Sequence, residues 1–407
     1  MTEILPQCGQ LDEQVKTLLH LLHQEPALRN QDTTSVQTSL AKATAPKFEI
    51  VFAGAFSAGK SMLINALLAR ELLYSGEGHA TGTECYIAYG EPDKERVVLT
   101  FLSEAEIREQ AAVLCQRVGL LAAAKGIANI NQPEVIDLLR DGCRTIIQQE
   151  GGESKSEKGK QAQALDLLLE GFVNNRDRIH TNHNATYSME QFLFSNLKEA
   201  ASYARRGSNS AVLKRIEYYC CHPLLQDGNV LIDMPGIDAP VKKDAELTYR
   251  KIADPETSAV VCVLKPASAG DMTTEETELL EMMRSNPAIR NRVFYIFNRM
   301  DETWYNNQLR QRLEDLINSQ FRDTPRVYKT SGLLGFYGSQ IKGTSSSERF
   351  GLDSLFAASV KNTNIGEDTP QFVNEFLRYC ANSGKLSPSQ LALFHLEWKT
   401  PILLIDY

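Results

Sequence analysis

Gly54-Ala55-Phe56-Ser57-Ala58-Gly59-Lys60-Ser61 fits the pattern G-x-x-x-x-G-K-[ST]. An apolar run, Phe48–Ala53, comes just before it and a helical pattern, Met62–Ala69, just after. A buried strand, a glycine loop and a helix in that order make a phosphate cradle. The glycines let the backbone turn its N–H groups inward around phosphate oxygens. The helix adds its positive N-terminal end. Gly54, Phe56, Ser57, Ala58, Gly59, Lys60, Ser61 and Met62 are the expected contacts. Lys60 is placed to reach the β- and γ-phosphates, and the Ser61 hydroxyl to bind Mg²⁺.

Outward from this loop, further strands are expected at Cys85–Tyr89, Val97–Phe101, Val212–Cys220, Asn229–Ile232, Ala259–Leu264, Val293–Phe297 and Val327–Thr330. Helical patterns separate several of them. Alternation of this kind predicts an α/β fold with a doubly wound, mainly parallel sheet. Between Phe101 and Val212 the pattern turns helical. Ser103 with Glu106 forms a capping box ahead of a helix to Val118, and Glu134–Gln149, Lys160–Val173 and Ser188–Arg206 also read as helices. About residues 103–211 are therefore expected to be a helical insertion in a domain spanning 46–345. Residues 1–45 read as a helix with Leu11, Val15, Leu18, Leu19 and Leu22 on one face, ended by Pro26, and a polar linker. Residues 346–407 read as a C-terminal helical segment.

Two later motifs choose the base. Asp233-Met234-Pro235-Gly236 follows the apolar run Val230–Ile232. An acid at a buried strand end suits the Mg²⁺ shell, and the Gly236 N–H can read a γ-phosphate. Asn298-Arg299-Met300-Asp301 follows Val293–Phe297 and fits [NT]-[KR]-x-D. Its carboxylate accepts from the N1–H and 2-amino group of guanine, a donor pair adenine lacks. Thr330-Ser331 ends the last strand, where a base-contacting loop is expected. The glycine-bearing segment Gly76–Cys85 offers Thr81, favoured over Thr83, as the threonine that closes over Mg²⁺ and the γ-phosphate.

Together these motifs resemble the GTPase domain of the dynamin superfamily. The Phe56-Ser57-Ala58 loop interior and the Asn298-Arg299 pair are most similar to its bacterial and mitofusin-like branch. The resemblance implies a P-loop G domain with neck-type helices at its flanks. It implies GTP hydrolysis coupled to homodimerisation through the nucleotide face, and through that to membrane remodelling or fusion. In this reading Ser57, Lys60 and Thr81 are catalytic, and Ser61, Thr81 and Asp233 hold Mg²⁺. Two departures matter. Ile237 stands where Ras-type GTPases carry the glutamine that positions water. Phe56 stands where the dynamins proper, outside this branch, carry a glutamine. Ser57, helped by a monovalent cation held across a dimer, is the candidate the family supplies. A non-enzymatic GTP-gated scaffold and an ATP-using relative are the competing readings.

The rest of the chain is consistent with this. It has 407 residues, 43% apolar and 23% charged, and a net charge of −8. No global basic field draws it to nucleic acid. No apolar run reaches the roughly 20 residues of a membrane span, and the first residues carry acids and no secretory h-region. A cytoplasmic protein, peripheral at a membrane if the resemblance holds, is expected. The eight cysteines are scattered without CxxC, so reduced thiols are expected. The 76 residues after Ser331 are expected to be too few for the full stalk of the family, so a truncated form, a stalk supplied by a partner, or action without one is expected. His180–His183, Cys220-Cys221-His222, Lys155–Lys160, Arg205-Arg206 and the apolar residues around Trp398 read as ordinary surface or packing.

Overall fold

The computed structural model describes residues 9–34, 36–37, 40, 47–73, 83–120, 126–152, 156–204, 207–238, 242–266, 272–303, 307–321 and 326–343. Thr81, Lys155, Arg205, Arg206 and the segment 346–407 lie outside the described residues. Helix α1 (Gly9–Gln24) stops just before Pro26. Leu11, Leu18 and Leu21 on it are exposed.

Strand β1 (Phe48–Ala53) runs through a 3-10 turn (Phe56–Ala58) into α2 (Lys60–Leu68). Next come β2 (Glu84–Tyr89) and β3 (Arg96–Phe101). The helices α3 (Glu104–Val118), α4 (Pro133–Gln149) and α5 (Glu157–Asn174) follow. After these lie β4 (Thr186–Ser188), α6 (Leu197–Ala204), α7 (Gly207–Ala211), β5 (Leu213–Cys220) and β6 (Asn229–Asp233). Then α8 (Lys242–Ala253), β7 (Thr257–Leu264), α9 (Thr274–Ser285), α10 (Pro287–Arg290) and β8 (Val293–Phe297) bring the chain to α11 (Asn307–Gln320), β9 (Val327–Lys329) and α12 (Gly332–Gly343).

The strands form one mixed sheet in the order β4-β3-β5-β2-β6-β1-β7-β8-β9. β1 pairs parallel with β6, putting Phe52 beside Asp233. β2 pairs parallel with β5 and antiparallel with β6. β8 pairs parallel with β9. A crossover sheet carrying helices between its strands is the expected α/β P-loop arrangement.

The chain divides into two compact units. The first is Met1–Ala53, Gly78–Val261 and Leu279–Phe294, and the second Gly54–Glu77, Cys262–Glu278 and Tyr295–Tyr407. In the first, Ile87, Leu99, Phe101 and Ile216 from the strands are buried, as are Leu114, Leu139, Leu165 and Phe172 from the helices between β3 and β5. Ser103 caps α3 by accepting from the Glu106 N–H while Glu106 reaches back to the Ser103 N–H, which satisfies two end donors at once.

One expected helix forms only in part. Ser188–Arg206 is expected to be helical, yet Ser188 ends β4 and pairs with Val98 of β3. A 3-10 turn covers Glu190–Phe192 and Leu193 sits at φ 59°, so helix begins only at Leu197. The aromatic spacing explains the break. Phe192 stacks on Phe194 at 5.1 Å, lies tilted by 55° against Tyr203 at 5.0 Å, and meets Tyr187 edge-on. A continuous helix would separate Phe192 from Phe194, because residues two apart do not face each other. The Asn196 carboxamide then caps the shorter helix by accepting from the Glu199 N–H at 3.0 Å.

Candidate nucleotide site

The second unit gathers the phosphate loop and the base motif. Gly54 opens the loop at φ +149°, and a Cβ there would stand 2.2 Å from the Val263 carbonyl oxygen. Only glycine lets the loop leave the strand so close to β7. Gly59 closes it at φ +83°, where a Cβ would meet Asn298 Nδ2 at 2.7 Å. Lys60 is buried, and its ammonium donates to the carbonyls of Gly54 and Ala55, both at 3.0 Å. These bonds hold the charge over the mouth of the loop. Ser57, Phe56 and Ser61 are half-buried, while Ala58 and Met62 are buried.

Asn298 joins this loop to the base motif. Its side chain is 1% exposed. The amide nitrogen donates to the carbonyls of Ala58 at 3.1 Å and Gly59 at 3.2 Å. The amide oxygen accepts from the Gly332 N–H at 2.8 Å and the Thr330 hydroxyl at 3.2 Å. All four groups of one carboxamide are thereby used. Arg299 sits in the left-handed region at φ +66° and donates from Nη1 to the Ser57 carbonyl at 2.8 Å. Backbone strain of this kind persists where surrounding bonds over-determine it. The Ser331 hydroxyl donates to the Asp301 carboxylate and also accepts from the Leu334 N–H at 3.2 Å, capping α12. Asp301 is thus held by one bond while half-exposed.

Asp233, Gly236 and Thr83 belong to the first unit. Asp233 ends β6 and is 8% exposed. The Met234 N–H donates to the Phe52 carbonyl at 3.3 Å, and the Pro235 carbonyl accepts from Thr248 at 2.9 Å. Gly236 and Ile237 are buried. Cys85 pairs with Asp233 across the strands. Burial pushes its thiol well up, and the Asp233 and Glu84 charges add to this, which disfavours the thiolate. The Thr83 hydroxyl is committed to two backbone carbonyls, Ser210 at 3.0 Å and Leu213 at 2.9 Å. Among the described residues no group of three His, Cys, Asp or Glu side chains gathers into a metal cage.

A family model described as "Dynamin family" matches residues 50–300, more than half of the chain. The chain belongs to the dynamin family. As a dynamin-family chain it carries the GTPase-type G domain, with guanine-nucleotide binding as that domain's general property. A search of curated proteins gave no match. Two solved structures are similar over 96% and 95% of this chain, at 16% identity each and TM-scores of 0.46 and 0.45. Both are described as an oligomerised bacterial dynamin pair that provides a mechanism for the long-range sensing and tethering of membranes. The chain spans 46% and 58% of their lengths. Among the described residues no helix is long and apolar enough to cross a membrane.

Sequence spacing did not reveal Thr248 or the Gly332 amide as partners of the motif loops. Thr248 stands inside an ordinary helical pattern, and nothing in that pattern says its hydroxyl meets Pro235.

Proposed function

We propose that the chain hydrolyses GTP to GDP and phosphate, and uses that cycle to dimerise through its nucleotide face in membrane remodelling or fusion. One observation carries the reading. The Asn298 carboxamide binds both the phosphate loop and the loop after β9, which supports reading the two loops as parts of one nucleotide site. Gly54–Met62 cradle the phosphates and Lys60 neutralises the β- and γ-oxygens. Asp301 and Asn298, with Arg299, Thr330 and Ser331, select guanine. Ser61, Thr81 and Asp233 hold Mg²⁺, which when bound neutralises charge on the transferring phosphoryl group. The Gly236 amide reads the γ-phosphate. Ser57 orients the attacking water, with a monovalent cation at a dimer face as its helper. The G domain spans 46–345 with its insertion at 103–211, between neck-type ends at 1–45 and 346–407. The protein works in the cytoplasm, at the membrane surface.

Phosphate release from purified protein tests this. Release that rises more than linearly with protein concentration, and vanishes in Lys60→Ala, supports dimer-stimulated hydrolysis. No release at any concentration, with GTP still bound, refutes the enzyme. That outcome favours a GTP-gated scaffold, a reading motivated by Ile237, which is apolar and only 3% exposed. Equal competition by ATP refutes the guanine assignment. Liposome co-sedimentation with and without GTP tests the membrane role.

A further inference from the structure

Helix α8 leaves the Asp233–Gly236 turn after a short connection and carries two side chains on one face, Thr248 and Lys251, three residues apart. The Thr248 side chain is completely buried and donates to the Pro235 carbonyl at 2.9 Å. Lys251 donates to Glu49 on β1 at 2.6 Å, with side chains only 11% and 14% exposed. Its ammonium also stands 5.8 Å from the centre of the Tyr86 ring on β2. The Thr257 hydroxyl ties down the Lys251 carbonyl at 2.7 Å. The helix is therefore pinned to two strands at one end and to the glycine turn at the other.

The geometry of a peptide unit gives the Thr248 bond its meaning. The unit is planar, and in a trans bond the C=O and the following N–H point in opposite directions. The described residues contain no cis peptide bond. Whatever holds the Pro235 oxygen therefore also aims the Gly236 N–H.

We propose that Thr248 is a positioning residue for the γ-phosphate: by holding the Pro235 carbonyl it aims the Gly236 amide, and the Lys251–Glu49 pair fixes the helix from which it does so. This rests on the assignment of Gly236 to the γ-phosphate made above. Thr248 touches no nucleotide itself. Its effect is confined to ligands that carry a third phosphate.

The test compares affinities for fluorescent GDP and for a non-hydrolysable fluorescent GTP analogue, with Mg²⁺ present, on the full chain. Thr248→Val keeps the shape and removes the donor. It is expected to weaken the GTP analogue about 10-fold, the scale of one buried hydrogen bond, and to leave GDP within about 2-fold. Thr248→Ser restores the donor and is expected to restore the preference. Lys251→Met is expected to shift the preference the same way, about 3-fold, with Thr248 intact. This variant carries the test if Thr248→Val does not fold. A GTP-to-GDP preference unchanged in folded variants overturns the proposal, as does a proportional loss of both ligands, the mark of a merely structural residue. If the wild type binds no guanine nucleotide, the site reading itself fails and the role of Thr248 falls with it. If the wild type binds and only the variants stay unchanged, the positioning role alone fails.

Discussion

Replacing Asn298 by alanine removes a side chain whose every polar group is in use. Two bonds to the carbonyls of Ala58 and Gly59 vanish, and so do the bonds from the Gly332 N–H and the Thr330 hydroxyl. The Gly332 amide is buried, so no water replaces the lost acceptor. At about 1 kcal/mol for each of the four bonds, the expected loss is about 4 kcal/mol, a large share of the stability of an ordinary domain. Asn298→Asp is a sharper probe. It keeps size and shape, but sets a carboxylate oxygen where the amide nitrogen met two carbonyl oxygens at 3.1 and 3.2 Å. Acceptor faces acceptor there, and the aspartate is expected to be the worse of the two. Urea unfolding followed by circular dichroism measures both. With a slope of about 2 kcal/mol per molar, the alanine variant should unfold about 2 M earlier. Guanine-nucleotide binding should fall with it, since the phosphate loop and the base motif share this carboxamide. A midpoint within about 0.3 M of wild type in the alanine variant, or an aspartate variant more stable than the alanine one, refutes the reasoning.

Three further outcomes follow from the same geometry. Asp301→Asn replaces an acceptor for guanine N1–H and the 2-amino group by a mixed donor and acceptor. GTP affinity should fall about 100-fold, the loss of charge-assisted hydrogen bonds, and xanthosine nucleotide should bind instead; GTP affinity within about 3-fold of wild type counts against the base assignment. Gly54→Ala drives a methyl to 2.2 Å from a backbone carbonyl at a φ of +149°. It should cost about 3 kcal/mol or more, read as a lowered melting temperature, and an unchanged melting temperature contradicts the loop path. Glu106 is a pH probe. Burial raises its carboxyl, but the Ser103 N–H, Lys214, Asn184 and the Ser103 hydroxyl outweigh that and bring it down to about 2 from 4.5. A lowered folded-state value stabilises above the unfolded value, so this contribution is complete above about pH 4.5 and fades as pH falls toward 2. Wild type should lose stability across that window more steeply than Glu106→Gln, and parallel curves would show that the cluster contributes nothing.

Most of the fold was legible because buried strands and glycine turns leave strong local marks. Phe48–Ala53 and Val293–Phe297 match β1 and β8 residue for residue. The Ser103–Glu106 box was readable because its two bonds lie within one helical turn. The Ser188–Arg206 segment misled because its helical spacing was real, while the aromatic cluster of Phe192, Phe194 and Tyr203 is a tertiary contact with no local mark. Tertiary packing overrides propensity of that modest strength. The same limit applies at the site. Sequence placed Asn298, Asp301, Thr330 and Ser331 at strand ends, but could not show that the Ser331 hydroxyl would hold Asp301 or that Asn298 would bond to Gly332. Thr83 is the instructive case. A threonine beside glycines reads as a switch residue, yet its hydroxyl is spent on the carbonyls of Ser210 and Leu213, more than a hundred residues away in sequence.

The contacts also change what the second glycine of the phosphate loop is for. In the sequence Gly59 is explained by the phosphate alone: the glycines let the loop turn its N–H groups inward. In the structure the nearest atom to its missing Cβ is Asn298 Nδ2, at 2.7 Å, and the next is a side-chain carbon of Arg299. The base motif itself fills the space that glycine leaves. The left-handed φ of Arg299 follows from the same crowding, since its guanidinium must turn back to reach the Ser57 carbonyl while Asn298 holds the two carbonyls after it. A glycine, an asparagine and a strained arginine thus form one unit in which none can be exchanged alone.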